Sequence, residues 1–268
     1  HALGVESSTV ATWLDAAGYR TALLGKYLNH YPRGAGLTYV PPGWDTWSSP
    51  VDGSTEAGYD YTLNENGRLV RYGDRPEDHS AHVLVEQAAD VAADADAAGE
   101  PFFTWLSVDA PHEPATPGPG DEDAYADATA PRDGSFDVVD PSAPAWVAGL
   151  PPLTEEQQAE IDDRYRNRLA SLRTLDRELD GLFRSLDESG QLDDTYVVFT
   201  SDNGFHLGQH RLKAGKQSAY EEDIRVPLLV RGPGVAAGAT SDALVGNVAL
   251  PPTFAALTGP ARPCTAGA

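Results

Sequence analysis

At 268 residues the chain can bury one sizeable core, as one large or two modest domains. A net charge of −22 argues against a nucleic-acid binder, and no run approaches the ~20 apolar residues of a membrane span. A single Cys excludes an internal disulfide framework, while 41% apolar and 22% charged residues are ordinary for a globular domain.

Ser7 or Ser8 is placed to cap a helix over Thr9 to Ala17, closed by Gly18. A short strand follows at Arg20 to Leu24, then a loop from Pro32 to Pro50 rich in Gly and Pro. Tyr59 to Leu63 and Leu69 to Tyr72 flank Asn66-Gly67, a hairpin signal because both residues tolerate positive φ. Asp78 or Ser80 opens a helix to about Ala98, and Phe102 to Val108 reads as a strong strand. Pro111 to Pro152 is long and irregular, a length that marks a functional or mobile loop. Thr154 and Gln157 form a capping box for a helix to about Ser189. Along it Leu169, Leu172, Leu175, Leu179, Leu182, Phe183 and Leu186 make a core stripe. Strands at Tyr196 to Thr200 and Val226 to Val230 precede a last helix near Val248 to Leu257. This alternation predicts an α/β fold, a mainly parallel, mixed sheet sandwiched by helices.

The run Thr200 to His210 carries the chemistry. An acid, an amide and two imidazoles leave the end of a predicted strand together, where open α/β sheets gather their sites. Asp202 and Asn203 offer hard oxygens that suit Ca²⁺ or Mg²⁺, and Gly204 permits a sharp turn after them. Asp-Asn-Gly is also ordinary turn chemistry. His206 and His210, four residues apart, have the spacing of a transition-metal pair on one helical turn.

The block from Ser201 to Gly234 resembles the sulfatase family of the alkaline phosphatase superfamily, most closely its bacterial N-acetylglucosamine-6-sulfatase-like branch. So do Thr12 to Asn29, Tyr59 to Asn64 and Ala110 to Pro114, in the same order, so that the likeness covers most of residues 7 to 258. The resemblance implies an alkaline-phosphatase-like fold over residues 1–259, with 260–268 a tail or the start of a further region. It implies hydrolysis of sulfate monoesters, on a sulfated small molecule or glycan. Asp202 and Asn203 would be metal ligands; Lys26 and Lys216 would contact the sulfuryl group, and His112 would donate to the sulfate or protonate the leaving group. His206 is expected to touch substrate and His210 to anchor its loop. Leu28 stands where many arylsulfatases carry a histidine, which leaves Asn29 or His30 to supply that hydrogen bond. Arg225 and the acids Glu221, Glu222 and Asp223 resemble a charged turn that orders the lysine loop, while Tyr165, Arg168 and Asp176 read as packing or ion-pair residues.

The family's nucleophile is a formylglycine made from the first residue of Cys- or Ser-x-Pro-Ser-Arg by a formylglycine-generating enzyme. No such segment occurs here, nor the N-terminal aspartate pair, and Cys264 stands in the wrong context. The expectation is therefore an N-terminally truncated piece, inactive by itself, of a periplasmic or secreted enzyme. Lys26, Arg211, Lys213 and Lys216 are expected to focus positive potential in one cleft of an acidic protein. A phosphonate monoester hydrolase or phosphodiesterase of the same superfamily, or a non-catalytic sugar-binding relative, is the alternative.

Overall fold

The computed structural model describes residues 5–51 and 55–258. The tail at 260–268, with Cys264, falls outside them. In chain order the elements are α1 (Val10–Ala16), β1 (Arg20–Gly25), β2 (Thr46–Pro50), β3 (Thr62–Glu65), β4 (Arg68–Arg71), α2 (Ser80–Ala98) and β5 (Phe102–Ser107). There follow α3 (Ala145–Ala148), α4 (Glu155–Glu188), β6 (Val197–Thr200), α5 (Glu221–Ile224), β7 (Leu228–Arg231) and α6 (Leu250–Leu257).

Local chemistry sets most boundaries. The cap of α1 is Thr9, not Ser7 or Ser8: Thr9 Oγ1 accepts from Thr12 N at 3.3 Å and Thr12 Oγ1 accepts from Thr9 N at 2.9 Å. Ser8 Oγ is instead engaged by the Trp13 indole at 3.1 Å. The β3–β4 hairpin turns through Asn66 at φ 48° and Gly67 at φ 89°, the paired positive values that match the strand twist. Gly99, at φ 67°, closes α2 in the left-handed conformation, and Thr154 with Gln157 boxes the start of α4.

Five strands form one sheet in the order β4-β3-β2-β1-β5. β1 is parallel to both β2 and β5, whereas β2–β3 and β3–β4 are antiparallel, so the sheet is mixed. β2 lies inside the segment expected to be loop. Its sequence, Thr-Trp-Ser-Ser-Pro, has little alternation, and its strand state comes from pairing on both edges. Ala22 and Leu24 of β1 face α2, packing with Val83, Leu84, Ala88 and Val91. Phe103 of β5, in register with Thr21, meets Phe254 of α6 at 5.6 Å, so α6 covers the opposite face. α4 packs on α2 through Leu175, Ala81 and Val85.

β6 and β7 do not join this sheet. They pair only with each other, antiparallel, and every residue of β7 is exposed. The predicted strands are thus present, but their partnership is not the parallel one expected. Sequence shows a strand, while sheet membership depends on residues far away in the chain.

The long segment 111–152 is tied down at several points. Phe136 bridges to Gln209, Asp137 N donates to Gly208 O at 2.9 Å, and Arg132 grips Asp162 of α4 at 2.9 Å. Asp121, almost fully buried, accepts from Thr174 at 2.9 Å and Arg173 at 3.0 Å, and also from Arg177. Burial would raise its carboxyl, but the Thr174 hydroxyl and Arg177 outweigh that and hold it below the usual range.

Candidate active site

Two groups of polar side chains stand at the ends of β-strands, in two different sheets. The first lies at the carboxyl ends of β1 and β5. The backbone N–H of Lys26, next after β1, donates to Ser107 O at 2.9 Å, so β5 fixes where the lysine leaves the sheet. Gly25 before it has φ 106°, and a Cβ there would overlap the Ser107 carbonyl, so only glycine lets the two strands approach this closely. Lys26 Nζ meets Glu56 Oε1 at 3.4 Å. The other oxygen of Glu56 is 3.7 Å from His112 Nδ1, which also contacts its neighbour's carbonyl, Glu113 O, at 2.9 Å. Beneath them the Thr55 hydroxyl donates to Asp109. Burial pushes the Asp109 carboxyl up, against the Thr55 hydroxyl and the Lys26 ammonium, which favour its charge.

The second group follows β6. Asp202 is exposed. Asn203 Nδ2 donates to Gly204 O at 2.9 Å, and this turns Oδ1 toward Lys216 Nζ, 3.1 Å away. The lysine loop is held against this strand end by backbone pairing: His206 N donates to Gly215 O at 2.8 Å and Gly215 N returns to His206 O at 3.0 Å. Gly204 N donates to Asp223 O at 2.8 Å, and a Cβ on Gly204 would overlap the Glu222 carbonyl. The third residue of Asp-Asn-Gly is therefore needed for close approach, not for the sharp turn expected of it.

His206 is buried, 6% exposed, and its Nδ1 lies 2.8 Å from Asp223 Oδ1. Asp223 also accepts from Ser218 N at 2.7 Å. Burial alone would raise the Asp223 carboxyl, but Ser218 and His206 outweigh it and hold it low. A side chain so enclosed shapes the lysine loop from within, whereas the sequence suggests a substrate contact. His210 stacks on Tyr220 at 3.7 Å and contacts Glu222 at 3.3 Å, in a left-handed backbone at φ 56°. The two histidines turn to different acids and do not form a metal pair.

Other sequence expectations fall outside these groups. Asn29 is exposed in the turn beyond Lys26, and among the described residues no hydrogen bond joins it to Glu56 or His112. Arg211 turns away to Asp137 O at 3.2 Å and Leu150 O at 3.0 Å, so it braces the long segment. Glu56 and Asp109 were not legible as site residues, since neither stands in a motif and each is placed by contacts across the chain.

Among the described residues no group of three or more His, Cys, Asp or Glu is gathered for a metal. Asp202 and Asn203 nevertheless present two hard oxygens, the donor type of Ca²⁺ and Mg²⁺, and a carbonyl oxygen with two lone pairs can face both a cation and Lys216. They fit as part of a ligand set: Ca²⁺ takes roughly six to eight oxygens.

Lysines and hard oxygens at the strand ends of an α/β fold make a candidate site suited to an anionic group. Residues 2–260 match the Sulfatase family, and the chain belongs to that family. N-acetylglucosamine-6-sulfatase of Capra hircus is 37% identical over 249 residues, which cover 90% of this chain and 44% of that protein. The chain thus spans less than half the length of that relative. Among solved structures, BT4656 in complex with its substrate D-glucosamine-2-N,6-O-disulfate superposes with a TM-score of 0.73 at 23% identity, covering 95% of this chain and 63% of that one. A phosphonate monoester hydrolase from Silicibacter pomeroyi gives a TM-score of 0.61 at 22% identity over 93% of this chain and 57% of its own. Likeness at these identities shows the fold and leaves the ester class open.

Proposed function

We propose that the protein to which this chain belongs hydrolyses sulfate monoesters, with sulfated sugars as its substrate class. The observation that carries this is the convergence of Asn203 Oδ1 and Lys216 Nζ at 3.1 Å beside the exposed Asp202, in a chain of the sulfatase family. The finer substrate class rests on relatives such as the goat glucosamine sulfatase. On this reading Asp202 and Asn203 hold a divalent ion, Ca²⁺ or Mg²⁺, with further oxygens from outside the described residues or from water. Such an ion supplies Lewis-acid stabilisation of the sulfuryl oxygens. The nucleophile would be a formylglycine outside this chain, since no residue here lies in the required segment. A periplasmic or secreted location goes with this reading.

The chain's own residues then divide the work. Lys216, held by Asn203, presents its ammonium to an anionic oxygen where charge develops. Lys26 does the same from the end of β1, after exchanging Glu56 for the substrate anion. His112, with Nδ1 turned to Glu113 O and Glu56, keeps Nε2 for the leaving oxygen, to which it delivers a proton. His206 and Asp223 keep the lysine loop in place. Lys26 and Lys216 supply this positive charge locally in a strongly acidic protein.

The test is activity of the longer protein, produced with a formylglycine-generating enzyme, on an aryl sulfate, glucosamine 6-sulfate and a phosphonate monoester. Sulfate turnover that vanishes in Asp202→Ala and Lys216→Ala supports the reading. Turnover of the phosphonate alone reassigns the ester class, and binding of sulfated sugars without turnover of any ester points to the non-catalytic alternative.

A further inference from the structure

The two polar groups belong to different sheets, and no strand pairing joins β5 to β6. Something else must fix their separation. α4 runs past both and carries Arg164 and Arg168 one helical turn apart, on one face. Arg164 pairs with Glu113, and Arg168 Nη1 donates to Pro111 O at 2.8 Å; these residues flank His112. The Arg168 guanidinium carbon also lies 4.4 Å over the ring of Phe205, two residues after Asn203. Phe205 is itself anchored against the core of Leu153, Ile161 and Leu207.

We propose that Arg168 is a positioning residue: one guanidinium clamps the His112 loop, through its in-plane N–H, to the Asp202–Asn203 loop, through its flat face. Arginine is suited to this because its planar fork donates in plane while its face stacks on an aromatic ring, and lysine cannot do both from one position. By sequence alone Arg168 reads as a packing or ion-pair residue of α4. The contacts give it a link to each half of the site, without contact to the reacting atoms.

The role in catalysis rests on the proposed sulfatase reading; the clamp itself does not, so each needs its own readout. In the longer, formylglycine-bearing protein, Arg168→Lys and Arg168→Gln are expected to lower kcat about 10–100-fold, the scale of an ångström-sized misplacement, with KM little changed. The Arg168→Gln and Phe205→Leu effects on kcat are expected to be non-additive. Arg184→Gln, an exposed pair with Asp180 further along the same helix, is expected to leave kcat unchanged. Loss of kcat only in proportion to unfolded protein, or additive effects of the two variants, would overturn the positioning role. Hydrogen exchange on this chain decides the clamp even if no ester is turned over. Arg168→Gln should speed exchange at residues 112–115 and 203–207 together, and acceleration of one loop alone, or of neither, refutes it.

Discussion

β1 and β6 both lead into a proposed site residue, yet they are held by opposite means. β1 lies between two parallel partners, with Thr21 through Gly25 buried, so the sheet and its core deliver Lys26 to its place. β6 has one partner, β7, and Phe199 is 43% exposed. Asp202 and Asn203 are located instead by loop pairing at His206 and Gly215, by Asp223, and by Arg168 on Phe205. One half is fixed by a sheet and its core, the other mainly by loop hydrogen bonds, with Phe205 as its contact to a smaller core. A half built in the second way should be easier to damage with a single polar substitution and harder to damage by trimming its strand.

The largest expected effects lie in the chemistry. In the longer protein, Lys216→Ala is expected to cost about 10²–10³-fold in kcat, the loss typical of one preorganised charge-stabilising donor. Lys26→Ala should cost a comparable amount if the two halves share the reacting group equally; a wide gap between the two would break the symmetry of the pair.

Stability gives the next test. In this chain Leu23→Ala, at a wholly buried position of β1, is expected to cost about 2–5 kcal/mol in urea unfolding. Leu229→Ala, at a position of β7 that is 60% exposed, should change stability by less than about 0.5 kcal/mol. Equal costs would show that β6 and β7 are buried as deeply as β1.

Asp223→Asn should cost roughly 1.5–3 kcal/mol, since the charge accepts hydrogen bonds in a buried place. Its carboxyl is held low in the folded protein. Its contribution is then present above the ordinary carboxylate range and is lost as pH falls through the lower, folded value. Acid titration of hydrogen exchange in the lysine loop reads this, and an acid midpoint unchanged by Asp223→Asn would contradict it.

The smallest effect belongs to Asp109. Its carboxyl is raised by burial, so the folded state holds a proton that the unfolded chain has already released. Stability should therefore fall slightly as pH rises through the window just above the ordinary carboxylate value. Asp109→Asn should flatten that slope, and a slope of the opposite sign would show that Thr55 and Lys26 outweigh burial.

Whatever neighbours along the chain decide was legible in the residues. The cap at Thr154, the Asn66-Gly67 turn, the spans of α2 and α4, strands β1, β5 and β6, and the cluster after β6 all follow from spacing and residue type within a few positions. The ordered matches along the chain placed it in its family, a placement that the match over residues 2–260 establishes. Only long-range contacts make Thr46–Pro50 a strand, set β6 and β7 apart from the main sheet, and pair the buried His206 with Asp223. Long-range contacts also bring Glu56 and Asp109 beside Lys26 and His112, and Arg168 against Pro111 and Phe205. Lys26 and Glu56 are 30 residues apart, Thr55 and Asp109 54, and Pro111 and Arg168 57. Periodicity and capping carry no information over such separations, because those contacts exist only after the chain has closed long loops and buried a shared core.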